Sequence, residues 1–326
     1  MSKIKKLICG LLMECMMITV ITIAPQTAQA TTTASGTDGE IHWEIKGDTL
    51  TLSAVEGTEG RMKDYSNGSS SPDSPWDSLM KNVKTVIVKD GVTKLGTSTA
   101  RGSFDSVIIA GTVKEIQGFS FGASIKNVYL NDGVDNLEAC SFFGRVENVF
   151  ISKTTEHISP YAFSTVADGN TTSLKNVYGY ESAEFFVNEL MTLVEETRDD
   201  IRHSGMIGIA QDVDSCRWDE NASVTFVSLS KNSILSKAKV TSSISINKGK
   251  SKSIKVTLPT GFNKVTKYSG NPADVKVTFK SSNKKIATVS SSGKVTGKKK
   301  GTVKITVTMK IKDGAKKTVT TKVTVK

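Results

Sequence analysis

Lys84-Thr85-Val86-Ile87-Val88, Asp105-Ser106-Val107-Ile108-Ile109, Lys126-Asn127-Val128-Tyr129-Leu130 and Glu147-Asn148-Val149-Phe150-Ile151 are one phrase written four times, 21 residues apart. Leu95, Ile116, Leu137 and Ile158 hold the same spacing, as do Ala100, Phe121, Phe142 and Phe163. A fifth copy restarts at Leu174 with Val177, seven residues late, and the surplus falls in the polar stretch 167–172. Apolar columns that keep one period over several units predict a solenoid whose coils share a continuous core.

Each unit opens on a short alternating segment, which predicts a strand. Val86/Val88, Val107/Ile109, Val128/Leu130 and Val149/Ile151 point into the coil. A turn follows at Asp90-Gly91, Gly111 or Asp132-Gly133, where glycine reaches positive φ at little cost. An apolar pair such as Val92 with Leu95 then enters the core, and Phe121, Phe142 or Phe163 closes the coil.

Alternation sends the intervening residues outward. They form two columns: an amide column of Asn127, Asn148 and Asn176, and an apolar-to-aromatic column of Ile87, Ile108, Tyr129, Phe150 and Tyr178. An exposed apolar row is unusual and marks a binding surface, with aromatics supplying contact area and Asn supplying donors and acceptors. These eight residues are the predicted recognition face. The competing expectation is that they pack on one another across strands or lie under a covering segment.

The repeat resembles the BspA-like leucine-rich repeats of bacterial surface proteins, on Gly91-Val92-Thr93-Lys94-Leu95-Gly96, Ala162-Phe163 and Lys126–Leu130. Trp43, Gly47–Leu52, Met62–Tyr65 and Pro75-Trp76 resemble the capping region before such repeats. The resemblance covers 36–180 and implies a surface-exposed binding protein.

Residues 1–30 read as a secretory signal peptide: Lys3, Lys5 and Lys6, then an apolar run over Leu7–Ile23, then the small-x-small site Ala28-Gln29-Ala30. The apolar run is short for a membrane anchor, and no transmembrane segment is expected in the mature chain. Within 31–82, Thr31–Asp38 reads as a disordered polar leader, Ile41–Ser53 as a hairpin turning at Gly47-Asp48, and Ser66–Ser74 as a loop. A solenoid end needs a cover, and that role falls to the hairpin and Trp76. The repeats occupy 83–180. Within 181–236, a capping helix over Glu181–Ile201 precedes a linker with two apolar runs, Met206–Ala210 and Val224–Leu229, and the carboxylates Asp212, Asp214, Asp219 and Glu220. These match no calcium-loop spacing. The mature chain keeps Cys140 and Cys216, which the sequence does not bring within bonding distance, so both are expected as free thiols.

Charge then changes sign. Thr31–Ser230 carries 16 Lys+Arg against 29 Asp+Glu, whereas Lys231–Lys326 carries 24 Lys and only Asp274 and Asp313 as acids. A break this sharp supports a domain over 237–326. Short alternating runs there, among them Ile254/Val256/Leu258, Val275/Val277/Phe279 and Val303/Ile305/Val307, predict a sandwich of about seven strands. Ser281–Val289, Ser292-Gly293-Lys294-Val295-Thr296 and Gly301-Thr302 resemble the bacterial immunoglobulin-like domain of group 2. Phe279 stands where that family often has Trp, and Lys264–Asn271 is surplus loop. The resemblance implies a spacer or binding module of surface proteins. Leu258-Pro259-Thr260-Gly261 lacks the variable residue and terminal position of a sortase signal and reads as a strand end and turn.

Little in the chain suggests chemistry. His42, His157 and His203 sit in unrelated contexts, and no HxxxH, CxxC, GxSxG or glycine-rich phosphate loop occurs. No cofactor, metal or catalytic residue is expected. The fold expected is β-rich and multidomain: a short leucine-rich-repeat solenoid with an N-terminal cap and a C-terminal helix, followed by an Ig-like β-sandwich. The expected function is an exported, cell-surface adhesion protein. The solenoid face would meet a host or neighbouring-cell protein or glycan, and the basic domain an anionic cell-wall polymer. The alternatives are an enzyme or enzyme accessory with a site near 202–236, or a purely structural envelope protein.

Overall fold

The computed structural model describes residues 33–65, 73–159, 162–163, 165–166, 174–181, 183–188, 216–217 and 224–326. The expected signal peptide, most of the Ser66–Ser74 stretch, the stretch 167–172, the expected helix beyond residue 188 and the carboxylates Asp212, Asp214, Asp219 and Glu220 lie outside the described residues.

The repeat becomes a sheet. Nine strands are hydrogen-bonded in the order Thr33–Asp38, Ile41–Lys46, Thr49–Ala54, Thr85–Val88, Ala100–Ile109, Phe121–Leu130, Gly144–Ile151, Asn176–Gly179 and Thr225–Ser228. The first three are antiparallel. From Thr49–Ala54 onward every neighbour is parallel. The register keeps the 21-residue column intact: Val86 faces Val107, Val107 faces Val128, Val128 faces Val149, and Val149 faces Val177. All five valines are fully buried. A second parallel sheet, Lys94–Leu95, Glu115–Ile116 and Asn136–Leu137, lies on the same period.

The repeat is visible even in the backbone angles. Ser98, Phe119 and Cys140, again 21 apart, all have positive φ, at 52°, 60° and 55°. Non-glycine residues seldom adopt this region, and neighbouring hydroxyls hold the turns in place. Buried Thr99 donates to the Gly96 carbonyl at 2.8 Å, Ser120 to Gln117 at 2.7 Å, and Ser141 to Glu138 at 2.6 Å.

The inner aromatic column stacks as rungs. Phe121 and Phe142 are 4.8 Å apart and 4° from parallel; Phe142 and Phe163 are 5.2 Å apart. Phe186, from the helical turn at 183–188, meets Phe163 edge-on at 6.2 Å. At the other end the column starts with Ala100, and Trp76 lies beside it, donating Nε1 to the Thr99 carbonyl at 2.9 Å. Tyr65 and Trp43 pack on Trp76 at 5.4 and 6.1 Å.

Three expectations are corrected. Thr33–Asp38 is not a disordered leader: it is an edge strand paired with Ile41–Lys46 along its whole length. It has no apolar alternation to betray it. Gly36 lets the Trp43 ring lie on its backbone, since a Cβ there would sit 2.9 Å from Nε1. Val224–Leu229 is not linker: Thr225–Ser228 is the last strand of the parallel sheet, with Phe226 facing Val177. The period is broken before it by a long insertion. Cys140 is not a free thiol but is disulfide-bonded. The chain folds back farther than sequence distance suggests, for Cys216–Arg217 pairs with Thr165–Val166 of the repeat region.

The C-terminal strands form a sandwich. One sheet has the order Ser243–Ile246, Lys316–Val325, Gly301–Ile311, Asp274–Ser281 and Asn263–Val265; a second holds Ser251–Ser253, Lys294–Gly297 and Ala287–Val289. Val275, Val277, Val303, Ile305, Val307, Val323 and Val295 fill the space between, all at most 3% exposed.

Candidate recognition surfaces

The amide column aligns but satisfies itself, and Asn127, expected on the open face, is buried. Asn127 donates to the Asp105 carbonyl at 3.2 Å, Asn148 to Asn127 Oδ1 at 3.2 Å, and Asn176 to Asn148 Oδ1 at 2.9 Å. Donors that climb from rung to rung stiffen the stack and leave less capacity for a ligand.

The aromatic column also forms. Tyr129 and Phe150 stack at 4.8 Å, and Phe150 and Tyr178 at 4.4 Å with 6° between planes. Its expected exposure is corrected. Tyr129 is only 4% exposed and Phe150 only 1%. Phe262, from the C-terminal sandwich, stands edge-on against Phe150 at 5.5 Å and Tyr178 at 5.9 Å. Ile108 and Tyr178 are partly buried against the same cluster. Ile87, at the start of the column, is half-buried and lies outside that cluster. A row of large apolar side chains was present to be covered, and a second module of the same chain covers it.

The cover is specific. Tyr129 donates its hydroxyl to the Gly261 carbonyl at 3.0 Å. Gly261 has φ +86°, and a Cβ there would lie 2.6 Å from the Phe150 ring, so this turn requires glycine. Asp132 N donates to the Gly270 carbonyl at 3.0 Å, and the Asp132 carboxylate pairs with Lys312. Ala315 N donates to Leu229 O at 2.9 Å, and Lys316 N to Asn232 Oδ1 at 2.9 Å. Lys317 Nζ caps the end of the Ser233–Ser236 turn, donating to the Leu235, Ser236 and Ala238 carbonyls at 2.9–3.0 Å. Burial pushes the Tyr129 phenol up to about 12. It pushes Tyr180 up to about 12 as well, helped by the nearby charges of Asp313 and Asp132. The residues that sequence reasoning missed are Gly261, Phe262 and Gly270. Their signal was available: they lie in or beside the surplus loop Lys264–Asn271, and an exposed aromatic row calls for a cover.

Residues 223–319 match the family model described as Bacterial Ig-like domain (group 2). The C-terminal module is a bacterial Ig-like domain. Comparison with curated proteins gives no match. The matched span begins before Thr225–Ser228, so it includes a strand whose hydrogen bonds belong to the parallel sheet. The junction between the Ig-like domain and the stack is therefore a continuous piece of structure. Leu258–Gly261 is a turn entering the seam, as the reading of a strand end predicts.

With the aromatic column covered, an open concavity among the described residues lies elsewhere on the stack. Asp105, Lys126 and Glu147 sit where the ladder is interrupted by one residue on each strand without a change of register: pairing runs up to Phe104–Ile125 and resumes at Ser106–Asn127. A groove of about 460 Å³ crosses the strands there, lined by Ser103, Ser124 and Arg145, with Phe104 and Ile125 beneath them and only 3% and 1% exposed. Along it Lys84, Asp105, Lys126, Glu147 and Lys175 alternate in sign from one coil to the next. Lys175 and Glu147 pair at 3.7 Å. The groove thus presents charged and hydroxyl-bearing side chains over a buried apolar base.

His157 is exposed and donates Nδ1–H to the Asp135 carboxylate at 2.7 Å; the pairing raises the imidazole pKa and lowers that of the carboxyl. Among the described residues, no group of three His, Cys, Asp or Glu converges to hold a metal, and no helix is long and apolar enough to cross a membrane.

Proposed function

We propose that this is an exported, cell-surface binding protein and not an enzyme, acting by non-covalent recognition. Its repeat region is read as a BspA-like leucine-rich-repeat solenoid. The Ig-like domain braces that solenoid by capping its aromatic column, and its lysines attract anionic polymers of the envelope. The observation that carries the reading is the groove over Phe104 and Ile125, which offers an external ligand charged and hydroxyl-bearing side chains after the seam has consumed the aromatic row. A host or neighbouring-cell protein or glycan fits such a surface.

The test is an array of glycans and host proteins probed with the purified protein and with Ser124→Trp, which fills the groove. Loss of the hits in a variant that still melts cooperatively supports the reading. Hits that survive the substitution unchanged overturn the groove as the recognition site. A second reading, a purely structural envelope protein, draws support from the self-satisfied amide column; an array with no hits for either form favours it.

A further inference from the structure

The Ig-like domain has two ends, and its charges are not shared evenly between them. Gly301–Ile311 and Lys316–Val325 run antiparallel along its length. The hairpin joining them is the seam end, where Ala315 bonds Leu229. Gly301 pairs with Val325 at the far end. Both acids of residues 231–326 belong to the seam end: Asp313 lies in the hairpin, and Asp274 precedes Val275, which faces Ile311.

The far end gathers lysines from separate segments. Lys248 N donates to the Lys326 carbonyl at 3.1 Å, and Gly297 N to the Lys250 carbonyl at 3.0 Å. Lys298 N and Lys299 N both donate to the Ile286 carbonyl, at 2.7 and 3.1 Å, which brings that run beside Lys284-Lys285. With Lys300 this makes eight lysines, all exposed. None of them makes an ion pair among the described residues. No Asp or Glu lies in these segments. The domain's aromatics lie elsewhere: Phe262 and Tyr268 toward the seam, and Phe279 between Gly293 and Lys264.

We infer that this far pole is a binding tip for a linear phosphodiester polymer of the polyol-phosphate kind. The inference rests on the proposed envelope attraction of the Ig-like domain and sharpens it from a diffuse charge to a place. Ammonium groups serve phosphates as point charges, without the planar, bidentate matching of guanidinium. A tip without aromatic rings has no platform for stacking bases, which sets nucleic acid aside. Because the tip is at the opposite end of the domain from the seam, a bound polymer would leave the stack held away from it.

The experiment measures binding of the full chain to poly(glycerol phosphate) at several salt concentrations. A deoxyoligonucleotide of equal charge and phosphatidylglycerol vesicles run in parallel. Wild-type protein binds the polymer, and binding weakens as salt rises. The far-pole triple Lys298→Glu, Lys299→Glu, Lys300→Glu loses on the order of 100-fold in affinity. The seam-end triple Lys267→Glu, Lys310→Glu, Lys316→Glu has the same net charge and loses less than about tenfold. Lys→Gln versions of both triples, together with thermal melts, separate lost binding from lost folding. Equal losses in the two triples overturn the tip while leaving diffuse attraction standing. Absence of wild-type binding overturns both. Tighter binding to the oligonucleotide or the vesicles overturns the assigned polymer class.

Discussion

Two aromatic ladders climb the stack on the same period. Phe121, Phe142 and Phe163 stack inside the coils at 4.8 and 5.2 Å; Tyr129, Phe150 and Tyr178 stack outside them at 4.8 and 4.4 Å. In spacing they are nearly the same object. They differ in what buries them. The inner ladder belongs to the core shared by the repeats and their caps, whereas Tyr129 and Phe150 belong to a core shared with the Ig-like domain. Periodicity therefore predicts that side chains will stack but not which surface will close over them. A ladder that points away from its own coil is completed only by something else.

The largest effect should come from the inner ladder. Phe142→Ala is expected to cost about 3–5 kcal/mol, because Phe142 is fully buried between two rings; a denaturant melt reads it. A loss below about 1 kcal/mol would make the inner ladder ornamental and break the comparison.

The next prediction concerns coupling. Phe150→Ala and Phe262→Ala each destabilise the protein, and the double-mutant cycle should return about 1 kcal/mol of interaction, as expected for an edge-on ring pair. Phe142→Ala with Phe262→Ala should add to within about 0.5 kcal/mol. Additivity in both cycles would deny that the outer ladder is shared between modules.

A pH titration sharpens the same contrast. Tyr129 is held up to about 12 by burial, against an ordinary value of 10.0. Its contribution is complete below pH 10 and is lost as pH rises toward 12, since the unfolded phenol ionises first. Phenolate absorbance should therefore show late-ionising tyrosines, and Phe262→Ala should bring the Tyr129 midpoint down. The smallest effect lies at exposed His157. Asp135→Asn should return its raised imidazole midpoint toward the ordinary 6.5, as followed by NMR. The pair's contribution is present below that value and fades as pH rises through the raised one.

Much of the fold was legible in the residues. The 21-residue columns predicted the strands, their register and the buried valines, and Trp76 was expected to cover the open end. The sandwich was readable from alternation and turn residues. What escaped had no pattern to read. Thr33–Asp38 forms a strand through backbone hydrogen bonds to a hairpin, with no apolar residue larger than Ala34. Thr225–Ser228 rejoins the sheet after an insertion that hides the period. The site was half legible. All the column residues were identified and they do align, but the identity of their cover depended on Phe262, 112 residues after Phe150 and in another module. Long-range docking leaves no local signature; the surplus loop was its trace.

The central claim is that the Ig-like domain closes over the outer ladder. Hydroxyl-radical footprinting of the intact protein tests it with internal standards. Phe142 is the protected reference and Phe185, 70% exposed, is the reactive one. Tyr129 and Phe150 are predicted to label as slowly as Phe142. Labelling of both as fast as Phe185 would contradict the account and return the ladder to solvent.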